Sequence, residues 1–178
     1  MSLWEQGKRR VKEIRANLRL NDSVSKRPRI QARNFAYRAL ARRGHTRREL
    51  EEKLQKHGFR AETVASVLRE LETHHYLNDR AFALAWAQKT VERRLLGPFA
   101  LQKGLELKGI DGEIIQEVVG KLYSGPAEER LAVKAMRKKL AQVKVGKTKA
   151  LERSMAGYLA RKGFTSEIIE KIIKDDIK

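Results

Sequence analysis

LEEKLQKHGF, residues 50–59, returns as LQKGLELKGI at 101–110 and again as MAGYLARKGF at 155–164. Each copy has an apolar residue at its first and fifth positions: Leu50 and Leu54, Leu101 and Leu105, Met155 and Leu159. Each closes on a glycine followed by Phe59, Ile110 or Phe164. A spacing of four puts the apolar pair on one helix face, and a glycine just past the last turn suits a left-handed C-terminal residue. Gly58, Gly109 and Gly163 lie 51 and 54 positions apart. The register holds beyond them, through Val64, Ile115 and Ile169, then Val67, Val118 and Ile172, then Leu68, Val119 and Ile173. Unrelated amphipathic helices share a 3.6-residue period but not a fixed glycine offset. Self-similarity near 50 residues therefore predicts tandem helical units, which favour a binding surface over an enzyme.

Working outward, each copy sits inside a larger unit. In the first, a helix carrying Phe35, Ala36, Ala39 and Leu40 is expected to stop near Gly44, read as a left-handed C-terminal residue. Thr46-Arg47-Arg48-Glu49 is a capping box that starts the next helix. In the second unit, Asn78 or Asp79 caps a helix with Phe82, Ala83, Trp86 and Ala87 on its buried face. Gly97-Pro98 stands in register with Thr46-Arg47, a different chemical solution to the same helix start, and Asp111 caps the third helix. Ser124-Gly125-Pro126 breaks the chain. The third unit opens with a longer helix, Val133, Met136, Leu140 and Val143 on one face and Arg137, Lys138, Lys139 and Lys144 on the other, ended by Gly146. Leu151 cannot cap, so its second helix is expected to start near Thr148. Ahead of all this, Val11, Ile14 and Leu18 form the apolar face of a basic segment. Asn21 to Pro28 then reads as a linker. The fold class is all-α: three tandem three-helix, helix-turn-helix-like repeats in an elongated, curved array behind a basic N-terminal extension. The expected limits are 1–32 for the extension and 33–77, 78–123 and 127–178 for the repeats.

The net charge is +18 over 178 residues, and it is unevenly spread. Residues 1–60 carry a net +12, residues 61–124 a net −1 and residues 125–178 a net +7. Basic ends around a neutral middle point to a polyanion, or an assembly containing one. There is no cysteine, which excludes disulfides and thiolate metal sites. That absence fits a reducing cytoplasm. No apolar run approaches the 18 residues of a membrane span, and Met1 to Arg10 lacks the apolar core of a secretory signal.

Motifs for catalysis are weak. Gly146-Lys147-Thr148 has the end of a phosphate-binding loop, but Ala141 stands where that loop needs its first glycine. His45, His57, His74 and His75 show no metal-ligand spacing, and no nucleophile elbow occurs. No cofactor, metal site or catalytic residue is expected. The basic candidates are Arg42, Arg43, Arg47 and Arg48 around the first interhelical turn, then Arg93 and Arg94, Arg137, Lys138 and Lys139, and Arg161 and Lys162. Guanidinium pairs bidentately with phosphate, so these are the expected DNA or filament contacts. Few aromatics interleave with them, and no helix is marked as a reader of base edges, so sequence preference is not expected.

Several blocks resemble the RecX family, bacterial regulators of the RecA recombinase. Ala36-Tyr37-Arg38-Ala39-Leu40 with Arg42, Thr46-Arg47-Arg48-Glu49-Leu50 and Leu54 is similar to the family's opening motif. His75-Tyr76-Leu77-Asn78-Asp79, then Phe82 and Ala83, resembles its Gly-Tyr-Leu-Asp-Asp signature, with His75 in place of the glycine and Asn78 in place of the first aspartate. Gly97-Pro98, Leu101, Leu105 and Lys108-Gly109-Ile110 resemble the next block, and Tyr158-Leu159 with Arg161-Lys162-Gly163-Phe164 the last. The resemblance implies a regulator without catalysis. It would lie in the groove of the RecA–DNA filament and restrain ATP hydrolysis, strand exchange and coprotease activity in the SOS response. Its partners would be the RecA filament and single- or double-stranded DNA. The protein would be a cytoplasmic monomer without membrane contact. The alternative is a general nucleic-acid-binding helical protein with no RecA role, for which a neutral middle would be a poor design.

Overall fold

A computed structural model of the protein describes residues 28–142 and 149–176. Nine helices and no strand occur among the described residues: α1 (Pro28–Arg42), α2 (Arg47–Lys56), α3 (Ala61–Thr73), α4 (Asp79–Arg94), α5 (Pro98–Leu107), α6 (Gly112–Leu122), α7 (Ala127–Leu140), α8 (Lys149–Arg161) and α9 (Ser166–Asp176). The all-helical reading holds. The helices group by threes, yet the chain divides into two compact units, one ending at Phe82 and one starting at Ala83. The basic segment before Arg27, the third-repeat turn at Val143, Lys144 and Gly146, and the start near Thr148 lie outside the described residues.

In the first unit α1, α2 and α3 enclose a core of Ala36, Leu40, Leu50, Leu54, Val64, Val67, Leu68 and Leu71. Pro28, read as linker, is instead the first residue of α1. Its fixed φ and missing N–H suit a position where no intrahelical donor is needed. The Thr46 cap forms as expected, its Oγ1 accepting from the Glu49 N–H at 3.1 Å. Gly44 departs from expectation, because its φ is not positive. It is small for a different reason: a Cβ there would stand 3.2 Å from Cδ2 of Phe82.

The middle helix of every repeat ends in one hydrogen-bond pattern. Gly58, Gly109 and Gly163 have φ of 91°, 73° and 82°. Their N–H groups donate to the carbonyls of Gln55, Glu106 and Ala160, and the next residues, Phe59, Ile110 and Phe164, donate to Leu54, Leu105 and Leu159. This is the Schellman closure, in which a left-handed residue turns the chain back over the helix and brings the following apolar side chain onto its last turn. The third helix of the first repeat closes identically, His75 donating to Glu72 and Tyr76 to Leu71, but with His75 at φ 57°. An L-residue there suffers the Cβ–carbonyl clash that glycine avoids.

In the second unit Gly97 and Pro98 start α5, and the Asp111 carboxylate accepts from the Glu113 N–H at 2.9 Å to start α6. On α4, Ala83 and Ala87 are fully buried, while Phe82 and Trp86 are only half-buried. Against α7 and α9, α8 packs a core of Ala132, Ala135, Met136, Leu151, Met155, Leu159, Phe164 and Ile172, joined by Leu95 from the second repeat. Of the face expected on α7, Met136 is buried and Val133 and Leu140 are half-buried, so the close contact is made by the alanines.

Second and third repeats meet backbone to backbone. The Gly97 N–H donates to the Lys162 carbonyl at 2.8 Å, and the Phe99 N–H to the Gly163 carbonyl at 3.0 Å. Orphan donors of the first turn of α5 thus satisfy carbonyls at the end of α8. A Cβ on Gly97 would stand 2.3 Å from the Gly163 backbone, and one on Gly163 would stand 2.3 Å from the Ala100 nitrogen. The Tyr123 hydroxyl donates to the Leu96 carbonyl at 2.7 Å beside this seam. Main-chain bonds between the two repeats account for their falling into one compact unit.

Two substitutions test this. His75 is exposed, so His75→Gly removes strain and no packing, and should raise stability by about 1 kcal/mol in urea melts. Gly163→Ala adds a clash to an unfavourable φ and should cost ~3 kcal/mol or more. Gly58→Ala, with nothing within 4 Å of its Cβ, should cost only ~1 kcal/mol.

Candidate nucleic-acid interface

The first interhelical turn gathers the densest arginines of the sequence, and three of its four candidates already hold carboxylates. Arg43 pairs with Glu49 at 2.8 Å and also donates to the Gly44 carbonyl. Arg47 pairs with Glu51 at 3.2 Å and Glu72 at 2.9 Å. Arg48 pairs with Glu52 at 3.0 Å. Arg42 is exposed on the last turn of α1. Under this turn lies His45, buried, with Nδ1 3.0 Å from the Arg43 carbonyl and Nε2 unpartnered. Burial first, then the Arg43 charge, holds its pKa below the ordinary imidazole value.

Of the two caps the sequence offered for α4, Asn78 takes the role and Asp79 has another. Asn78 caps α4, its Oδ1 accepting from the Ala81 N–H at 2.9 Å. Asp79 reaches across instead and accepts from the Arg47 N–H at 2.8 Å, closing the first turn of α2. Burial pushes its carboxyl above the usual range, more strongly than the Arg47 bond pulls it down. No local pattern marks this pairing, because the partners stand 32 residues apart.

At the seam of the second unit the candidates converge. Lys162 Nζ donates to the Arg94 carbonyl. Lys139 and Lys162 lie over the Tyr158 ring, 5.9 and 5.7 Å from its centre. Desolvation lowers the Lys162 pKa, and the like charges of Lys138 and Arg94 lower it further. The ends of α7 and α8 therefore bring Lys139 and Lys162 over one aromatic ring, with the charges of Lys138 and Arg94 close enough to act on Lys162. A helix C-terminus favours a cation, and a cation over a ring face is attracted by the π-system, so the cluster is held in spite of its own repulsion. Arg93, Arg137 and Arg161 are exposed on the same last turns. Tyr158 was legible only as part of a motif, since nothing in the sequence says which cations share its ring. Among the described residues no group of three or more His, Asp or Glu could hold a metal, and no helix is long and apolar enough to cross a membrane.

Three-helix repeats with a cationic seam define a helical-repeat protein. Comparison with known proteins narrows this. Residues 32–71, 78–119 and 127–173 match, in order, the first, second and third three-helix domains of RecX. Regulatory protein RecX of Amycolatopsis mediterranei (strain U-32) is 31% identical over 83% of this chain and 84% of its own length. Its namesake in Chlorobaculum tepidum is 32% identical over 80% and 86%. The crystal structure of RecX from Lactobacillus salivarius superposes with a TM-score of 0.74 at 22% identity, covering 83% of this chain and 96% of that one. The chain belongs to the RecX family of regulatory proteins.

The role of Asp79 predicts a split between two variants. Asp79→Ala leaves the Arg47 N–H without an acceptor and should cost about 1–2 kcal/mol. Asp79→Asn keeps the acceptor and removes a charge whose raised pKa makes it a net cost at neutral pH. Its stability at pH 7 should equal or exceed that of the unmodified protein in thermal melts.

Proposed function

We propose that this protein is a non-catalytic regulator of RecA that binds in the groove of the RecA–DNA filament and restrains its ATP hydrolysis, strand exchange and coprotease activity. The observation that carries the reading is the ordered match of all three RecX domains along the chain. The distribution of charge supports it. Cations collect at the seam, where they can meet phosphate, while the net −1 of residues 61–124 suits contact with protein. Linked units that each contribute modest contacts gain avidity. The working partners are thus the RecA filament and DNA without strong sequence preference. The protein acts as a monomer in the cytoplasm, and the repeats follow the limits 33–77, 78–123 and 127–178.

The test is RecA ATPase on single-stranded DNA with the protein titrated from zero to excess over filament sites. A progressive loss of ATP turnover and of strand exchange is expected. Unchanged turnover, with equal binding of the protein to bare DNA, would replace this reading with that of a general nucleic-acid-binding protein.

A further inference from the structure

Runs of basic residues single out Arg137, Lys138 and Lys139 on α7, but the helix itself selects a different set. From Arg130 to Leu140 it holds five basic residues and no acidic one. At 100° per residue, Arg130, Lys134, Arg137 and Lys138 fall within an arc of about 100°. All four are exposed, opposite the buried Ala132, Ala135 and Met136. Lys139 points away, toward Tyr158. The two carboxylates of the first turn are already engaged. Glu128 accepts from the Thr165 N–H at 2.7 Å, and Glu129 pairs with Lys171 at 2.8 Å. None of the four outward cations pairs with a carboxylate among the described residues, unlike Arg43, Arg47 and Arg48. Arg130, Lys134 and Arg137 edge an open groove of about 540 Å³ lined also by Pro126, Val133 and Glu129, whose carboxylate is held by Lys171.

We propose that this outward face of α7 is a track for the phosphate backbone of a DNA strand. Eight residues at 1.5 Å each span about 12 Å from Arg130 to Lys138. A strand laid along that length brings successive phosphates within reach of these cations. Beyond Lys138 the track continues into Lys162 and Arg94, whose charges bear on one another. Four like charges on one arc, none paired with a carboxylate among the described residues, weaken the folded state by self-repulsion, and a bound polyanion removes that repulsion. The aliphatic side chains lining the groove carry no donor for base edges, so the track reads charge and not sequence. Arg43, Arg47 and Arg48 of the first interhelical turn act instead within the protein, as ion-pair partners of glutamates.

The inference rests on the reading of the protein as a regulator that meets DNA, and the experiment separates the two. Full-length protein is titrated onto a labelled oligo-dT strand by fluorescence anisotropy over a series of salt concentrations, with RecA ATPase measured on the same samples. In Arg130→Gln/Lys134→Gln/Arg137→Gln the slope of log affinity against log salt should shrink by about 2, at ~0.7 per lost contact. Arg47→Gln/Arg48→Gln should leave the slope unchanged, as should the charge-conserving Arg130→Lys/Lys134→Arg/Arg137→Lys. All the side chains changed on α7 are exposed, and circular dichroism confirms that each variant is folded. A triple variant with the original slope, a charge-conserving variant that loses it, or an unmodified protein that does not bind oligo-dT overturns the track. Suppression of ATPase by the unmodified protein together with an unchanged slope in the triple variant removes the track and keeps the regulator. A slope lost as expected, from a protein that never alters ATPase, keeps the track and removes the regulator.

Discussion

A left-handed residue at the end of a helix is the constraint on which the rest of this structure depends. At Gly58, Gly109 and Gly163 it lets the chain reverse over the helix it has just left. The reversal delivers Phe59, Ile110 or Phe164 to the last turn and sends the next helix back along the core. With no side chain to bury, the turn needs only a backbone that tolerates positive φ. At Gly163 the same residue does more, because its bare Cα allows the start of α5 to approach within hydrogen-bond distance. The closure that ends one repeat becomes the surface that receives another.

Non-glycine residues in left-handed conformations mark where the chain departs from that economy. His75 retains the Schellman bonds at φ 57° and is exposed, so nothing from packing offsets its strain. Leu95 adopts φ 52° at the end of α4, where the repeat register places Gly44 in the first unit. Leu95 is buried in the core of the third repeat, and burying a leucine is worth about 1.5–3 kcal/mol, enough to exceed a left-handed cost of about 1–2 kcal/mol. Gly44 has the glycine without the left-handed φ, and keeps it for the Phe82 ring.

Charge follows a parallel logic. The second unit places cations at helix C-termini, where the dipole favours them, whereas Arg47 and Arg48 of the first open α2 at its N-terminus. In the first unit Glu49, Glu51, Glu52 and Glu72 lie within reach of the arginines and take them up. In the second, the acids of α7 are drawn to α9 and its N-terminal turn, and Lys139 and Lys162 from the ends of α7 and α8 are left to share Tyr158. Counting charges along the chain gives the first turn the greater claim on a polyanion. Counting what each charge touches moves that claim to α7 and the seam.

The repeat, its glycine closures, the caps at Thr46, Gly97 and Asp111 and the all-helical class were legible in the sequence, because each is decided by residues within one or two turns of one another. The paired and unpaired state of the cations was not, nor was Asp79 on Arg47, Lys162 on Arg94, or the joining of the second and third repeats through Gly97 and Gly163. Those contacts join residues 32, 68 and 66 positions apart. Nothing in a local pattern says which distant partner will arrive at a given helix end. A hydrogen bond or ion pair forms with whatever group packing delivers to it, so the tertiary structure alone decided which positive charges face outward and which are spent holding the fold.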